Sequence, residues 1–270
     1  MSHPGKGATR TMANPMEGIR PKLRTDLARD GIFNVRDLGG LTTSTGQRIV
    51  PGRVLRADAL QRVNGSAEEL KAFGVVRVVD LRAESERDQS GVMNVEGIDV
   101  VHEPLLDPTF AWVNKNEVLA AELLIVRYRE ILENFGSRLI GTLNTVADVV
   151  VSEQRGAVAF HCAVGKDRTG LVAALLLSML GVDPETIVAD YTRSSSVTAI
   201  QLQWLWSFGY LRDEVTDEDL TVGLWSARPE TMRSTLEWLN REFGSAESYA
   251  IDNGLDRSVI NELRRHLLRD

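Results

Sequence analysis

The feature that most constrains the fold of this chain is an apolar strand that passes through a short polar loop into an apolar helix. Ala157–Phe160 is a wholly apolar run, which predicts a short buried strand. The segment 168–180 is almost entirely apolar after its first residues and ends before Gly181, which predicts a buried helix with a glycine terminator. A strand followed directly by a helix in this way is typical of a parallel β-α unit.

Strand and helix signals alternate along much of the chain. Three runs, Arg53–Ala57, Val75–Asp80 and Ile98–His102, predict further strands. Predicted helices, placed by their periodicity and end signals, cover Ser66–Phe73, Asn116–Phe135, Arg138–Val151, Arg168–Leu180, a helix capped by Asp183 with Pro184 at its first position, Pro229–Phe243, Ser245–Asn253 and Arg257–Leu268. The sequence therefore predicts an α/β fold with a central, mostly parallel sheet flanked by helices and an additional helical C-terminal region.

Composition sets the domain organisation and excludes several classes of protein. Hydrophobic residues make up 43% of the 270 residues and charged residues 26%, which excludes a disordered chain and a disulfide scaffold. Residues 1–30 begin with a stretch rich in small and polar residues, so we predict a flexible N-terminal tail over 1–30 and a single domain over 31–270.

Charge and hydropathy limit the partners and the location. The net charge of −7 argues against nucleic acid as a partner. No apolar run approaches about 18 residues, so no integral membrane segment is expected. The N-terminal segment lacks the apolar core of a secretory signal, so a cytoplasmic protein is the default expectation and signal-less export is the alternative. A monomer is favoured, and the sequence leaves the oligomeric state open.

The loop between the predicted strand and helix carries the one cysteine of the chain. Cys162 and Arg168 frame the five residues Ala163-Val164-Gly165-Lys166-Asp167. Such a loop points successive backbone N–H groups inward, and the start of the following helix adds its positive dipole end, so residues 163–168 form a candidate phosphate-binding group. Arg168 can hold two oxygens of an anion at once, Lys166 adds charge, and Gly165 lets the chain turn.

The same positive field makes Cys162 a candidate nucleophile. Helix N-termini and neighbouring cations favour the thiolate, which is the reactive form of cysteine, and a thiolate below an anion cradle suits attack on a phosphate monoester. Thr169 can hydrogen-bond the thiolate and later help it leave, and His161 is expected to brace the loop. The alternative is an inert, buried cysteine, which the Lys-Asp-Arg run beside it disfavours.

Expulsion of an alcohol or phenol benefits from a general acid, for which three aspartates are candidates. Asp80 ends a predicted strand, and the carboxyl ends of strands open onto the ligand crevice of such sheets. Asp167 lies inside the loop, and Asp107 precedes a proline in a loop segment. The alternative for Asp80 is a structural pair with Arg82 or Arg36. The sequence does not decide between Asp80 and Asp167, and Asp107 ranks behind both.

Other charged residues have structural interpretations. We predict that Arg36 and Asp37, which precede a glycine pair, fix a turn rather than touch a substrate. Asp190 and Arg193 are predicted to be a packing or ion-pair feature. Arg56 is either a pocket residue or a surface charge, and the sequence does not separate the two.

Three further features of the sequence concern the surface, the metal content and the core. The charge run Glu84–Asp88 is predicted to be a solvated face. His3, His102 and His266 lack cysteine or carboxylate partners at the spacing of metal ligands, so we predict no metal site. The aromatic segment Leu202–Leu211 is predicted to pack in the core, with a lid over the site as the alternative.

Residues 161–170, His-Cys-Ala-Val-Gly-Lys-Asp-Arg-Thr-Gly, resemble the signature loop of cysteine-dependent protein-tyrosine phosphatases. Further stretches are similar, in the same order, to the bacterial family that includes the secreted mycobacterial phosphatase B: Asn34–Gly40, Val54–Leu60, Val79–Arg82 and Ala189–Ser194. The resemblance covers roughly Ile32 to the C-terminus. It implies a phosphatase α/β fold, no metal, no cofactor and a phosphocysteine intermediate. The Trp-Pro-Asp signature of the larger eukaryotic enzymes is absent from the sequence, so the resemblance does not identify the general acid.

These observations lead us to expect a metal-independent protein-tyrosine phosphatase that acts on phosphotyrosine-containing proteins. The resemblance implies that phosphoserine and phosphothreonine are further substrates. A phosphoinositide is the alternative substrate, because Lys166 beside Arg168 favours a more anionic ligand. A sulfurtransferase and a non-catalytic phosphoprotein-binding module are the alternatives from other classes, although such a module would not need Cys162.

Overall fold

A five-stranded, mostly parallel sheet forms the centre of the computed structural model, which describes residues 24, 27–107, 121–152, 156–207 and 225–270. The strands are β1 (Arg36–Asp37), β2 (Arg48–Ile49), β3 (Val54–Asp58), β4 (Val75–Asp80), β5 (Asp99–His102), β6 (Ala157–Cys162) and β7 (Leu268–Arg269). The order in the sheet is β1-β3-β6-β4-β5. Strands β3, β6, β4 and β5 run parallel, and only β1 pairs antiparallel, at the edge beside β3. The predicted α/β fold with a mostly parallel sheet is confirmed.

The described helices are α1 (Ala67–Phe73), α2 (Glu84–Ser90), α3 (Ala121–Asn134), α4 (Gly136–Val151), α5 (Arg168–Met179), α6 (Pro184–Thr192), α7 (Ser195–Ser207), α8 (Pro229–Phe243), α9 (Ala246–Asp252) and α10 (Arg257–Leu267). Most of the predicted helices are present with ends that differ by one or two residues. The caps behave as their chemistry requires: the side chain of Asp183 accepts the Glu185 N–H, and Asp256 accepts the Ser258 N–H.

The central strand β6 is apolar on both faces because each face packs against a separate core cluster. Val158 and Phe160 lie in the cluster formed with the majority of the helices, α3 to α6 and α8 to α10. Ala157 and Ala159 lie in a smaller cluster that includes Leu70 of α1. Alternate side chains of a strand point to opposite faces, so a strand covered on both sides reads as an unbroken apolar run. This packing fixes the position of Cys162, the last residue of β6.

Two local features add to the picture from the sequence. Ser66 lies at the N-cap of α1, but its side chain makes no capping bond there; its hydroxyl donates to Asp30 Oδ2 at 2.7 Å. The predicted helical C-terminal region is present, and after its last helix Leu268–Arg269 forms β7, which pairs antiparallel with β2.

Packed structure begins slightly before the predicted domain boundary. Leu27 is fully buried in the smaller core cluster. The Asp30 carboxylate accepts the backbone N–H groups of Asn64, Gly65 and Ser66. The predicted tail, apart from its last residues, lies outside the described part of the chain. Among the helices that the structure describes, none is long and apolar enough to cross a membrane.

Candidate active site

The carboxyl ends of three parallel strands meet at one edge of the sheet. In the sheet register, Asp58 of β3 pairs with Cys162 of β6, and Asp80 of β4 pairs with His161. Open α/β sheets bind ligands in the crevice at this edge. The sheet therefore brings Cys162 and Asp80 to neighbouring strand ends, and it adds Asp58, which the sequence analysis did not single out.

The loop 163–167 folds tightly over the end of β6. Gly165 has a φ of +72°, and a Cβ at this position would lie 2.7 Å from the Ala57 carbonyl oxygen, so only glycine fits without strain. The Gly165 N–H donates to Cys162 Sγ at 3.3 Å. A backbone amide aimed at the sulfur stabilises negative charge on it, which is the condition for a nucleophilic thiolate.

Arg168, the first residue of α5, is held by Glu86 of α2. Its Nη1 and Nη2 donate to Glu86 Oε2 and Oε1 at 2.5 and 2.7 Å. Burial opposes both charges, but the hydrogen-bonded pair outweighs it, so the pKa of Arg168 is raised and that of Glu86 is lowered. The prediction of a solvated face over Glu84–Asp88 is wrong for Glu86, whose side chain is 32% exposed and turned onto Arg168.

Both carboxylate oxygens of Asp80 accept hydrogen bonds from Arg82. Arg82 donates from Nε to Oδ1 at 2.9 Å, from Nη2 to Oδ2 at 2.8 Å and from its backbone N–H to Oδ1 at 3.0 Å. Burial acts to raise the pKa of Asp80, but the hydrogen bonds and charge of Arg82, together with His161, hold it below its usual value. The side chain is 1% exposed. Of the two pairs considered from sequence, the structure has the one with Arg82 and not the one with Arg36.

Asp167 has a different environment. Its side chain is 19% exposed, and its Oδ1 accepts the hydroxyl proton of Tyr128 at 2.7 Å. The Lys166 ammonium lies 3.2 Å from the same oxygen. Asp167 is the N-cap residue of α5, yet its side chain makes no capping bond. The Asp167 carboxylate therefore stays at the loop and does not bind the first N–H groups of α5.

A buried cluster of two arginines and one aspartate supports the loop from below. Asp190 accepts hydrogen bonds from Arg36 Nε at 2.6 Å and from Arg56 Nη1 at 2.5 Å. Arg56 Nη2 also donates to the Gly165 carbonyl at 2.9 Å. Arg56 is thus a support of the loop and not a surface charge, and Asp190 is a buried ion-pair residue whose partners are Arg36 and Arg56. The turn prediction is correct for Asp37, which accepts the Gly39 and Gly52 N–H groups, but wrong for Arg36.

A second set of polar side chains ties down the adjacent carbonyl of the loop. Asn34 Nδ2 and Gln201 Nε2 donate to the Val164 carbonyl at 3.0 and 3.2 Å. Gln201 also donates to Asp58 Oδ2 at 2.6 Å, and Asp58 accepts the Asn34 N–H at 2.9 Å. Two consecutive carbonyls of the loop are therefore bound from outside, which leaves the loop amides free to point inward.

The supporting residues predicted from sequence lie at the loop. His161 is fully buried with Nδ1 3.2 Å from the Cys162 carbonyl, and burial lowers its pKa to about 4, so it is neutral at pH 7. The Thr169 hydroxyl is buried and makes no hydrogen bond within the described part of the molecule. Lys166 is buried and donates to the Ser226 carbonyl at 3.2 Å.

Several sequence predictions lie outside this site or outside the described residues. Asp107 pairs with Arg138 at 3.8 Å, and the proline after it is not described. Residues 208–211 of the aromatic segment 202–211 and the side chains of residues 204–207 are likewise not described, so core packing stays a prediction and the lid stays its alternative. No group of three potential metal ligands occurs among residues 24, 27–107, 121–152, 156–207 and 225–270, and the absence of a metal site also stays a prediction.

The site contains residues that the sequence analysis missed. Asn34 and Asp58 lie in stretches that carry the family resemblance, which is a signal that could have found them. Tyr128 lies in the predicted helix Asn116–Phe135, and Glu86 lies in the charge run Glu84–Asp88. Neither carries a local signal, because their partners lie 39 and 82 residues away in the chain.

Fold and site together define an α/β protein in which the cysteine at the end of the central strand lies against the tight loop that leads into α5. The chain belongs to the tyrosine phosphatase family, whose members hydrolyse phosphate monoesters; the model of that family matches residues 27–269. A Cupriavidus necator protein named as a tyrosine-protein phosphatase is 33% identical over 178 residues, which span 65% of each chain. The triple specificity protein phosphatase PtpB of Mycobacterium tuberculosis is 27% identical over 88% of this chain and 97% of its own length.

Similarity to solved structures is weak. A crystal structure of Pseudomonas aeruginosa TpbA in complex with pTyr matches 58% of this chain and 88% of that chain, with 16% identity and a TM-score of 0.29.

Proposed function

We propose that the protein hydrolyses phosphate monoesters through a phosphocysteine on Cys162, with phosphotyrosine-containing proteins as its main substrates. The observation that carries this proposal is the hydrogen bond from the Gly165 N–H to Cys162 Sγ, because it directs a loop amide at the nucleophilic atom. Family membership supports the overall reaction.

The first step transfers the phosphoryl group to sulfur. Cys162 Sγ attacks phosphorus, the bond from phosphorus to the ester oxygen breaks, and that oxygen leaves with a proton from the general acid. The loop amides and the Arg168 guanidinium bind the remaining phosphoryl oxygens, whose charge they stabilise in the transition state. Glu86 keeps the guanidinium in one orientation through its two hydrogen bonds.

We assign the general acid to Asp167 rather than Asp80. An acid must reach the leaving oxygen, and Asp167 is 19% exposed whereas Asp80 is 1% exposed. Both oxygens of Asp80 are also bound by Arg82, which favours a permanently ionised, structural carboxylate. Asp80 then acts by fixing Arg82 and the end of β4.

The second step regenerates the enzyme. A water molecule attacks phosphorus and gives a proton to the Asp167 carboxylate, the sulfur–phosphorus bond breaks, and Cys162 leaves as a thiolate while inorganic phosphate is released. The Thr169 hydroxyl, which has no hydrogen-bond partner among the described residues, is a candidate donor to that thiolate.

The direct test is p-nitrophenyl phosphate hydrolysis in the presence of EDTA. We expect turnover by the wild type and a loss of about 10³-fold or more in Cys162→Ser. Equal activity in the two proteins would overturn the cysteine mechanism. Thiosulfate turnover with a persulfide on Cys162 would instead identify a sulfurtransferase, and phosphopeptide binding without turnover would identify a binding module.

The substrate class needs a separate panel. Phosphotyrosine, phosphoserine and phosphothreonine peptides and a phosphoinositide are compared by kcat/KM. We expect the phosphotyrosine peptide to be the best substrate. A higher kcat/KM for the phosphoinositide would identify the lipid, and not the protein, as the main substrate class. The phosphocysteine mechanism would be unchanged.

A further inference from the structure

Two buried tyrosines connect distant helices to the carboxylate of Asp167. Tyr128 lies on α3 and Tyr191 on α6, and both side chains are fully buried. The Tyr128 hydroxyl lies 2.7 Å from Asp167 Oδ1 and 2.8 Å from the Tyr191 hydroxyl. The two rings meet edge to face, with their planes at 87°. The hydroxyl groups and the carboxylate thus form one continuous chain of hydrogen bonds.

The direction of this chain follows from the chemistry of its ends. An ionised carboxylate only accepts, so Tyr128 donates its hydroxyl proton to Asp167. The Tyr128 oxygen then accepts from Tyr191, which donates. Burial, together with the negative charge of Asp167, raises the pKa of both phenols, so both keep their protons at neutral pH.

The chain makes the two oxygens of Asp167 unequal. Oδ1 accepts from Tyr128, and the Lys166 ammonium lies 3.2 Å from that same oxygen. Oδ2 accepts no hydrogen bond from any residue that the structure describes. Donors on one oxygen stabilise negative charge there and disfavour a proton on it, so the proton of the neutral acid belongs on Oδ2.

We propose that Tyr128, oriented by Tyr191, is a positioning residue that makes Oδ2 the proton-carrying oxygen of Asp167. This inference rests on the proposed role of Asp167 as general acid. Tyr128 does not touch the substrate; it fixes the plane of the carboxylate and leaves one oxygen to give a proton to the leaving group and later to take one from water. Without Tyr128, the carboxylate can rotate and the proton is no longer confined to one position.

The test compares leaving groups, because loss of a general acid matters most when the leaving group is poor. The ratio of kcat/KM for p-nitrophenyl phosphate to that for phenyl phosphate is measured in wild type, Tyr128→Phe and Tyr191→Phe. Each variant keeps the ring and loses one hydroxyl. We expect the ratio to rise about tenfold in Tyr128→Phe and about threefold in Tyr191→Phe, since the second loses only the indirect bond. A ratio is unaffected by any unfolded fraction.

Tyr249→Phe is the matched control. Tyr249 is also fully buried, and its hydroxyl donates to the Leu132 carbonyl at 2.7 Å, without contact to Asp167. The ratio in this variant is expected to equal that of the wild type. The double variant Tyr128→Phe with Asp167→Asn is expected to have the same ratio as Asp167→Asn alone, because Tyr128 acts through that carboxylate.

The outcomes separate the inference from the proposed function. If Asp167→Asn raises the ratio but Tyr128→Phe behaves as Tyr249→Phe does, Asp167 remains the acid and the inference about Tyr128 is overturned. If Asp167→Asn leaves the ratio unchanged, the assignment of the acid fails and the inference fails with it. If the ratio in the double variant is higher than the ratio in Asp167→Asn, Tyr128 acts by a route other than the Asp167 carboxylate, and the inference is again overturned.

Discussion

The Glu86 carboxylate binds the Arg168 guanidinium through two hydrogen bonds, of 2.5 and 2.7 Å. Two parallel bonds fix the plane of a guanidinium as well as its position. Glu86 is itself anchored, since Oε2 accepts the Ala83 N–H at 2.8 Å at the start of α2. Glu86, on the short helix α2 that follows β4, thereby sets the orientation of the Arg168 guanidinium. We propose that this guanidinium binds the phosphoryl oxygens.

Replacement of Glu86 tests this relationship. Glu86→Gln keeps the size but loses the charge and one acceptor, so we expect kcat/KM for p-nitrophenyl phosphate to fall about tenfold. Glu84→Gln is the control, because Glu84 lies in the same charge run, is 64% exposed and makes only long contacts, at 3.4 Å, with Arg87 and His102. The control should match the wild type. Tighter phosphate binding in Glu86→Gln would show instead that Glu86 competes with the substrate for Arg168.

Asp190 is expected to be essential for stability. Asp190→Asn leaves the guanidinium groups of Arg36 and Arg56 buried without a counter-charge, and breaking a buried pair in this way costs about 3–5 kcal/mol. Urea unfolding measures the loss. Glu185→Gln on the same helix removes an exposed pair with Arg233 and should leave the unfolding midpoint unchanged. Equal midpoints for the two variants would contradict the structural role of the cluster.

The elements of the fold could be predicted from the sequence because their signals are local. The apolar run of β6, the Asp183 cap and the Pro184 helix start each depend on adjacent residues. β7 was missed, since a two-residue strand has no periodicity and exists only through its pairing with β2. Arg36 was misassigned for a similar reason: its partner Asp190 lies 154 residues further along the chain.

Gly165 is expected to tolerate no side chain. Gly165→Ala combines a positive φ with a Cβ 2.7 Å from the Ala57 carbonyl oxygen, so we expect loss of stability of about 1–3 kcal/mol and loss of activity. Gly181→Ala has a similar φ of +81° but nothing within 4 Å of the added Cβ, and it should retain activity. The difference in stability between the two variants measures the effect of the close contact between the added Cβ at position 165 and the Ala57 carbonyl oxygen. Full activity of Gly165→Ala would contradict the loop geometry.

His161 predicts a pH dependence of stability. Burial lowers its pKa to about 4 from 6.5, so between these values the unfolded chain binds a proton that the folded protein does not. The free energy of unfolding should therefore decrease as the pH falls from 6.5 to 4, by at most about 1.4 kcal/mol per pH unit from this group. Denaturant unfolding across this range measures the slope.

The comparison variant is His161→Gln, which is neutral throughout. Asp37 and Asp58, whose pKa values burial raises, titrate in both proteins, so the difference between the two curves reports His161 together with its charge interaction with Asp80. A smaller slope is expected in the variant. Identical slopes would mean that His161 is not held neutral by burial.

The candidate site shows a similar division between local and long-range signals. Cys162, Arg168 and the loop between them could be identified because one contiguous segment carries them. The sequence leaves Asp80 and Asp167 undecided, because our proposal for Asp167 rests on exposure and hydrogen-bond partners, and these arise from packing. Tyr128 shows the same limit: its place in the predicted helix Asn116–Phe135 does not reveal the carboxylate to which its hydroxyl donates.

We expect Cys162 to carry the phosphoryl group during turnover. Rapid denaturation of the enzyme during p-nitrophenyl phosphate hydrolysis, followed by mass spectrometry of the peptide that contains Cys162, tests this expectation. Asp167→Asn should accumulate the intermediate, because the water that hydrolyses it then lacks a base, whereas Cys162→Ser should form no phosphocysteine. One added phosphoryl group on Cys162 is the expected result. Turnover without it, or a phosphoryl group on another residue, would overturn the proposed phosphocysteine mechanism.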